Sequence, residues 1–317
     1  MKNVIGNNLT LTLFGESHGK AIGGVLDGFP AGVRIDEELI EDMMSKRRAA
    51  GTISTGRQEA DIPEFLSGIK NGVSEGTPIA FVIANKSQHS GDYNALAGIA
   101  RPGHADYTGH VHYLGFEDAR GGGHFSGRLT AVMVAAGALC MCMLKERGIA
   151  IGTHIASLHG ICDRKWNEAD LDQEIALLNS RRFAVLDETK EEVMVQEIEK
   201  ARMDLDSVGG ILETAVVHLP SGLGDPEFDS LESMIAHAMF SIPAVKGIQF
   251  GKGADPVIVT VGRQQAAVKA HLTALARGHH RQLRGQEILL DEAVLFVQPL
   301  HHVQLHQIRA LALQGFG

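Results

Sequence analysis

The run from Ala131 to Leu144, AVMVAAGALCMCML, constrains this chain more than any other stretch. It carries no charged side chain. It is also shorter than the roughly 20 apolar residues a bilayer-spanning helix needs, so it reads as a helix buried in protein. Ser126 is expected to cap that helix, which should run from about Leu129 to Arg147. Small residues on it (Ala131, Ala135, Ala136, Gly137 and Ala138) suit a deep interior where neighbouring elements approach closely.

Other elements can be placed around this helix. LTLTLF (9–14) alternates and predicts a strand, AIGGVLD (21–27) predicts another, and Gly-Glu-Ser-His-Gly connects them. Asp36 should cap a helix over 37–48, whose last turn gathers Lys46, Arg47 and Arg48 at the negative end of the helix dipole. Residues 49–60 read as loop, PIAFVIA (78–84) as a buried strand, and ETAVVHL (213–219) as a further strand. Asp229 is expected to cap a helix through SLESMIAHAMF. No repeat or Pro/Ser-rich linker interrupts the chain, and a single compact α+β domain is the simplest reading. From about Ala254 the periodicity is poor and no strand is assigned. Glycine is abundant, at 37 residues, while aromatics make up 5 %, which favours backbone-built turns over an aromatic core.

Charge and cysteine usage narrow the function classes. A net charge of −9 disfavours binding to nucleic acid or to an acidic membrane surface. An anionic small substrate would therefore need a local basic cluster. Cys140, Cys142 and Cys162 are too few for a disulfide framework and suit a reducing compartment, so a cytoplasmic location is expected. The N-terminal MKNVIGNNLTLTLFGES has no apolar core of signal-peptide length.

Residues 101–128, RPGHADYTGHVHYLGFEDARGGGHFSGR, hold four histidines, three arginines and no lysine. Such a density of imidazoles, guanidinium forks and permissive backbone points to proton handling beside an anion. In RPGHAD, Pro102 and Gly103 set a turn that presents His104, with Asp106 placed to orient its ring. In RGGGHFSGR the glycines let backbone N–H groups converge ahead of a helix N-terminus, an arrangement suited to anions. It matches neither nucleotide-loop pattern, and Ser126 stands in the wrong place for a nucleophile elbow. In GESHG, His18 lies between turn residues where its ring can be approached closely; a turn histidine bonded to local backbone is the alternative. Lys46, Arg47, Arg48 and Arg57 read either as a solvated helix end or as forked donors for phosphate or carboxylate. His110/His112, His279/His280 and His301/His302 lack the spacing of a recognised metal motif, so no metal is expected.

Several long segments in order resemble chorismate synthase. They are FGESHGKAIGGVLDGFPAG (14–32), the Arg47/Arg48 region, GRQEAD, FLSG and GTPIAFVIAN within 56–85, RPGHADYTGH (101–110) and RGGGHFSGRLTA (120–131). DSVGG (206–210) and PSGLGDPEFDSLESMIAHAMFSIPAVKGIQFGKG (220–253) complete the set. The resemblance implies a shikimate-pathway lyase that converts 5-enolpyruvylshikimate 3-phosphate to chorismate by 1,4-anti elimination of phosphate, with reduced FMN as cofactor and NADPH as a candidate reductant. It implies a β-α-β sandwich, helices between two antiparallel four-stranded sheets, in a homotetramer. His18 and His104 match the family's catalytic histidines. Arg47 or Arg48, with Arg57 and Arg128, falls in segments that meet anionic substrate or nicotinamide phosphate. His124, Phe125 and Ser126 match one FMN-contact position, and Pro243 and Ala244 another. The resemblance defines a family domain over 1–253. Residues 254–317 then form a divergent or truncated C-terminal part of it, lacking the family's Asn-His-x-Gly-Gly-Ile and Lys-Pro-Thr segments. ADPVIV (254–259) offers Asp255 for the family's C-terminal acidic residue. Beside the lyase stands a second class: a folded phosphate-binding or oligomer-forming relative without a complete flavin site.

Overall fold

The computed structural model describes residues 3–48, 60–86, 99–101 and 103–250, together with the backbone of 266–272. The chain divides into two compact units, one of residues 1–48 and 57–139, the other of residues 49–56 and 140–317.

The first unit is built on β1 (Val4–Ile5), β2 (Thr10–Gly15), β3 (Ala21–Asp27), α1 (Glu37–Arg47), β4 (Pro63–Phe65), β5 (Ile69–Lys70), β6 (Val73–Ser74), β7 (Ile79–Ala84) and α2 (Asp106–His112). An antiparallel sheet in the order β1-β2-β3-β7-β4 forms its frame, with β5 and β6 as a separate ribbon. Strand β7 shows the period of two that a one-sided sheet requires: Ile79, Phe81 and Ile83 are buried and the residues between them less so. α1 starts where expected, because the Asp36 carboxylate accepts from the Leu39 N–H at 3.0 Å.

The apolar run forms α3 (Thr130–Glu146), preceded by one 3₁₀ turn over Gly127–Leu129 that Ser126 caps by accepting from Arg128 N–H. The stretch Gly127–Glu146 has the length and composition to cross a membrane, yet 83 % of its apolar window is buried within the protein. Its small residues Ala131, Ala135, Ala136 and Ala138 are fully buried, as expected, and a Cβ added to Gly24 of β3 would lie 2.7 Å from Val132 Cγ1 of this helix. Burial pushes the Cys140 thiol up, so it stays neutral.

The second unit holds β8 (Ala150–Leu158), β9 (Ile161–Cys162), α4 (Leu171–Ser180), α5 (Thr189–Met203), β10 (Gly210–Val217), α6 (Leu231–Phe240), β11 (Val245–Phe250) and β12 (Ala266–Leu272). Its sheet runs β11-β12-β10-β8-β9. Ile155 and Leu158 of β8, Leu212 of β10, and Met194 and Ile198 of α5 share one buried cluster. His154 of β8 is 1 % exposed between two carboxylates, with Nδ1 2.7 Å from Asp163 and Nε2 3.2 Å from Glu213. Asp163 also accepts from the Leu186 N–H at 2.6 Å and the Asp187 N–H at 2.9 Å. Burial alone would lower the His154 pKa, but the bonds to Asp163 and Glu213 outweigh it and raise the value. Burial would likewise raise Asp163, and the His154 and backbone N–H bonds hold it below the usual carboxylate range.

The α+β class is as expected, with differences in detail. Each large sheet has five strands among the described residues rather than four, and β12 pairs in parallel with both β10 and β11. β12 also lies in the tail where sequence periodicity assigns no strand. Asp229 does not cap α6. Ser230 does, its hydroxyl accepting from the Ser233 N–H at 3.3 Å, while Asp229 closes the preceding 3₁₀ turn.

Candidate functional site

The connection between β2 and β3 is a tight turn in which the Gly19 N–H donates to Glu16 O at 3.0 Å, leaving Ser17 and His18 at its tip. The Ser17 hydroxyl lies 3.0 Å from Gly121 O and 3.4 Å from Arg120 O. The same oxygen stands 2.8 Å from His18 Nδ1, within hydrogen-bond distance. That contact orients the ring, which is 4 % exposed.

The glycine-rich segment is shaped to this turn. Gly121, Gly122 and Gly123 have φ of 59°, 83° and 54°, values that L side chains rarely adopt. A Cβ at Gly121 would stand 2.1 Å from His18 Cε1 and 2.2 Å from its Nδ1. The glycines therefore present carbonyls, rather than the expected N–H groups, to the turn: Gly121 O takes the Ser17 hydroxyl and Gly123 O the Ser17 N–H at 3.1 Å. His124 Nδ1 donates to Gly15 O at 2.8 Å, which ties the segment to the end of β2.

Beneath the turn lies a buried charge cluster. Asp61 accepts from Arg47 Nη1 with one carboxylate oxygen and from Arg128 Nη1 with the other. Both guanidinium side chains are 6 % exposed and the carboxylate 2 %. Arg47 Nη2 also reaches Gly127 O at 3.3 Å and Thr130 Oγ1 at 3.4 Å, at the start of α3. Arg128 Nε donates to Asn85 Oδ1 at 3.0 Å. Arg128 Nη2 is a buried donor with no acceptor among the described residues.

A cavity of about 230 Å³ opens alongside, lined by Glu16, Asp106, Tyr113, Phe116, His124 and Phe125 among others. Phe125 is 46 % exposed and meets Tyr113 edge-on at 5.7 Å between centroids. Of its acidic residues, Asp106 is gripped by Arg101 through Nε at 2.8 Å and Nη2 at 2.9 Å. The Arg101 hydrogen bond holds the Asp106 carboxyl below its ordinary value, with a smaller contribution from the charge of His104. Arg120 does the same for Asp118, which also feels His18.

The first unit thus brings together His18, Arg47, Arg128, His124, Phe125 and Ser126 from three distant stretches of sequence. His104 is exposed on the turn before α2, where its N–H donates to Arg101 O at 3.3 Å. The carboxylate expected to orient it, Asp106, is committed instead to Arg101, whose two parallel N–H donors match it better than one ring nitrogen. Arg48 sits at the end of α1 and pairs with Glu41 at 2.8 Å. Pro243 and Ala244 belong to the second unit, between α6 and β11, with Ala244 at φ 75°. Arg57 and Asp255 lie outside the described residues, as do His279, His280, His301 and His302. Three participants were missed from sequence: Ser17, Asp61 and Asn85. Ser17 could have been found as the hydroxyl beside a turn histidine, and Asp61 and Asn85 as the polar ends of GRQEAD and GTPIAFVIAN, though neither segment shows which distant residues they bind.

A family model described as chorismate synthase matches residues 9–273. The chorismate synthase of Campylobacter fetus subsp. fetus (strain 82-40) is 46 % identical over 253 residues, which cover 80 % of this chain and 69 % of that protein. That of Pyrococcus abyssi (strain GE5 / Orsay) is 44 % identical over 248 residues, covering 78 % of this chain and 68 % of that one. A crystal structure of chorismate synthase superposes with a TM-score of 0.60 at 29 % identity, covering 76 % of this chain and 67 % of the other.

Proposed function

The chain belongs to the chorismate synthase family of shikimate-pathway lyases, and from that premise we propose that it converts 5-enolpyruvylshikimate 3-phosphate to chorismate and phosphate by 1,4-anti elimination, with reduced FMN as cofactor. The observation that carries the reading is the seat of His18. A buried imidazole has its Nδ1 bonded to Ser17, and a glycine lies so close that no side chain fits between. A ring held this way stays in a fixed place, as proton transfer requires.

The residues fit the flavin ring. Tyr113, Phe116 and Phe125 give the cavity aromatic walls, and His124, bonded to backbone through Nδ1, keeps Nε2 clear of that bond. Bound there, reduced FMN supplies the electron-rich partner that the elimination needs. The chain's own groups do the rest. His18 holds or moves a proton at Nε2. His104, exposed beside the Arg101–Asp106 pair, acts as the second proton-handling group. Arg48 and Arg57 capture the substrate phosphate, and Arg47 and Arg128 add positive charge from the buried cluster. Pro243 and Ala244 are assigned to further flavin contact and Asp255 to the C-terminal acidic position. NADPH as reductant, a homotetramer and a cytoplasmic location complete the reading, with residues 254–317 as the divergent end of one domain.

Anaerobic turnover of 5-enolpyruvylshikimate 3-phosphate with added reduced FMN tests it. Chorismate formation is expected, and a well-folded protein that binds no flavin overturns it. One observation favours a second reading: the family match ends at residue 273, and the aligned stretch covers 69 % of the Campylobacter relative. On that reading the chain is a phosphate-binding or oligomer-forming relative, and a fluorescence titration with FMN separates the two.

A further inference from the structure

Asn85 follows directly on β7 and is 9 % exposed. Its side chain makes three hydrogen bonds to two places far apart in sequence. Oδ1 accepts from Arg128 Nε at 3.0 Å. Nδ2 donates to Glu16 O at 3.0 Å and to Gly19 O at 2.9 Å. The orientation of the amide is dictated by its neighbours: a guanidinium can only donate and a carbonyl can only accept. The Asn85 N–H additionally donates to Lys20 O at 3.2 Å. Glu16 and Gly19 are the two ends of the turn that carries Ser17 and His18, so one side chain closes that turn from below.

We infer that Asn85 is a positioning residue for His18, clasping the Glu16–Gly19 turn and anchoring it to the buried Arg47–Asp61–Arg128 cluster; this rests on the lyase reading, in which His18 moves the proton. The anchor is stiff because Arg128 is itself fixed by Asp61, and Asp61 by Arg47. A rigid chain of contacts therefore runs from the end of α1 to the base of the turn. The geometry has a chemical requirement at position 85 that only an amide of this length meets. Aspartate would keep an acceptor for Arg128 but turn lone pairs toward two carbonyls. Alanine would satisfy neither side.

The test uses the full chain as Asn85→Asp and Asn85→Ala. Asn85→Asp retains the Arg128 bond, so it serves even where Asn85→Ala fails to fold. Both variants are expected to lose on the order of 10–100-fold in kcat with little change in KM, the signature of a displaced proton-transfer group. Independently of turnover, ¹⁵N imidazole spectra at about pH 8, above the ordinary imidazole range, report the His18 tautomer, with its resonance identified by its loss in His18→Gln. Wild type is expected to show a single tautomer and both variants a mixture. A wild-type-like tautomer in Asn85→Asp overturns the inference, whatever the turnover. Absent wild-type turnover sinks the lyase reading alone, because the spectra still decide whether Asn85 holds His18.

Discussion

The two units each bury a group of three ionisable side chains, and they balance the charge in opposite ways. In the first, one carboxylate, Asp61, serves two arginines and leaves an excess of positive charge. In the second, one imidazole, His154, serves Asp163 and Glu213 and leaves an excess of negative charge when it is protonated. The cations differ in what they can do when a partner is lost. Arginine stays protonated under all ordinary conditions, so Arg47 and Arg128 have no escape from an uncompensated charge. Histidine can release its proton and become a neutral hydrogen-bonding ring. The first cluster is therefore held by cations that cannot discharge, while the second couples the second unit's stability to pH.

The largest effect should come from Asp61→Asn. It keeps the size of the side chain but strands two buried guanidinium groups, at a cost of about 3–5 kcal/mol measured by chemical denaturation. A loss no greater than that of a surface pair would mean that the arginines find other acceptors and that the cluster is not held by Asp61. Glu213→Gln should cost less, about 1–3 kcal/mol, because His154 can deprotonate and still bond to the new amide. Equal losses in the two variants would erase the distinction between clusters.

The pH profile sharpens the comparison further. The His154 pKa is raised in the folded state, so its stabilisation is fully present below the ordinary imidazole pKa and disappears as pH rises through the raised value. That limb has a slope of at most about 1.4 kcal/mol per pH unit for one proton. Asp163 adds an acid limb: its lowered pKa gives stability that is lost as pH falls through the folded value. Thermal melts of His154→Gln across neutral to alkaline pH should lack the alkaline limb. A limb that persists in that variant belongs to another group. The smallest effect is expected for Arg48→Ala, whose pairing with the half-exposed Glu41 contributes within about 1 kcal/mol. Its measurable consequence is a raised KM for the phosphorylated substrate with kcat retained, and an unchanged KM would remove Arg48 from the phosphate site.

Much of the fold was legible because it follows from local rules. The strand over 21–27, the Asp36 cap of α1 and the buried helix after Ser126 appear where period and capping chemistry put them. Sequence patterns assign nothing over 171–203, where α4 and α5 form. β12 is identified by its pairing with β10 and β11 rather than by any pattern of its own. Ser230 displaced Asp229 as a cap because the 3₁₀ turn over Glu227–Asp229 takes up the earlier residue.

The candidate site divides in the same manner. By itself the sequence determined which chemistry is available: a turn histidine, a run of glycines, a basic helix end and a second histidine turn, each readable because residue type and local backbone go together. Only the tertiary structure decided how these groups are employed. It turned the glycine carbonyls toward Ser17, gave Asp106 to Arg101, and gathered Arg47, Asp61, Arg128 and Asn85 from separate segments into one buried chain of contacts under His18. The reason is physical. A local pattern fixes dihedral preferences and which face is apolar. The partner of a buried polar group is whatever donor or acceptor the packing of distant segments brings within about 3 Å.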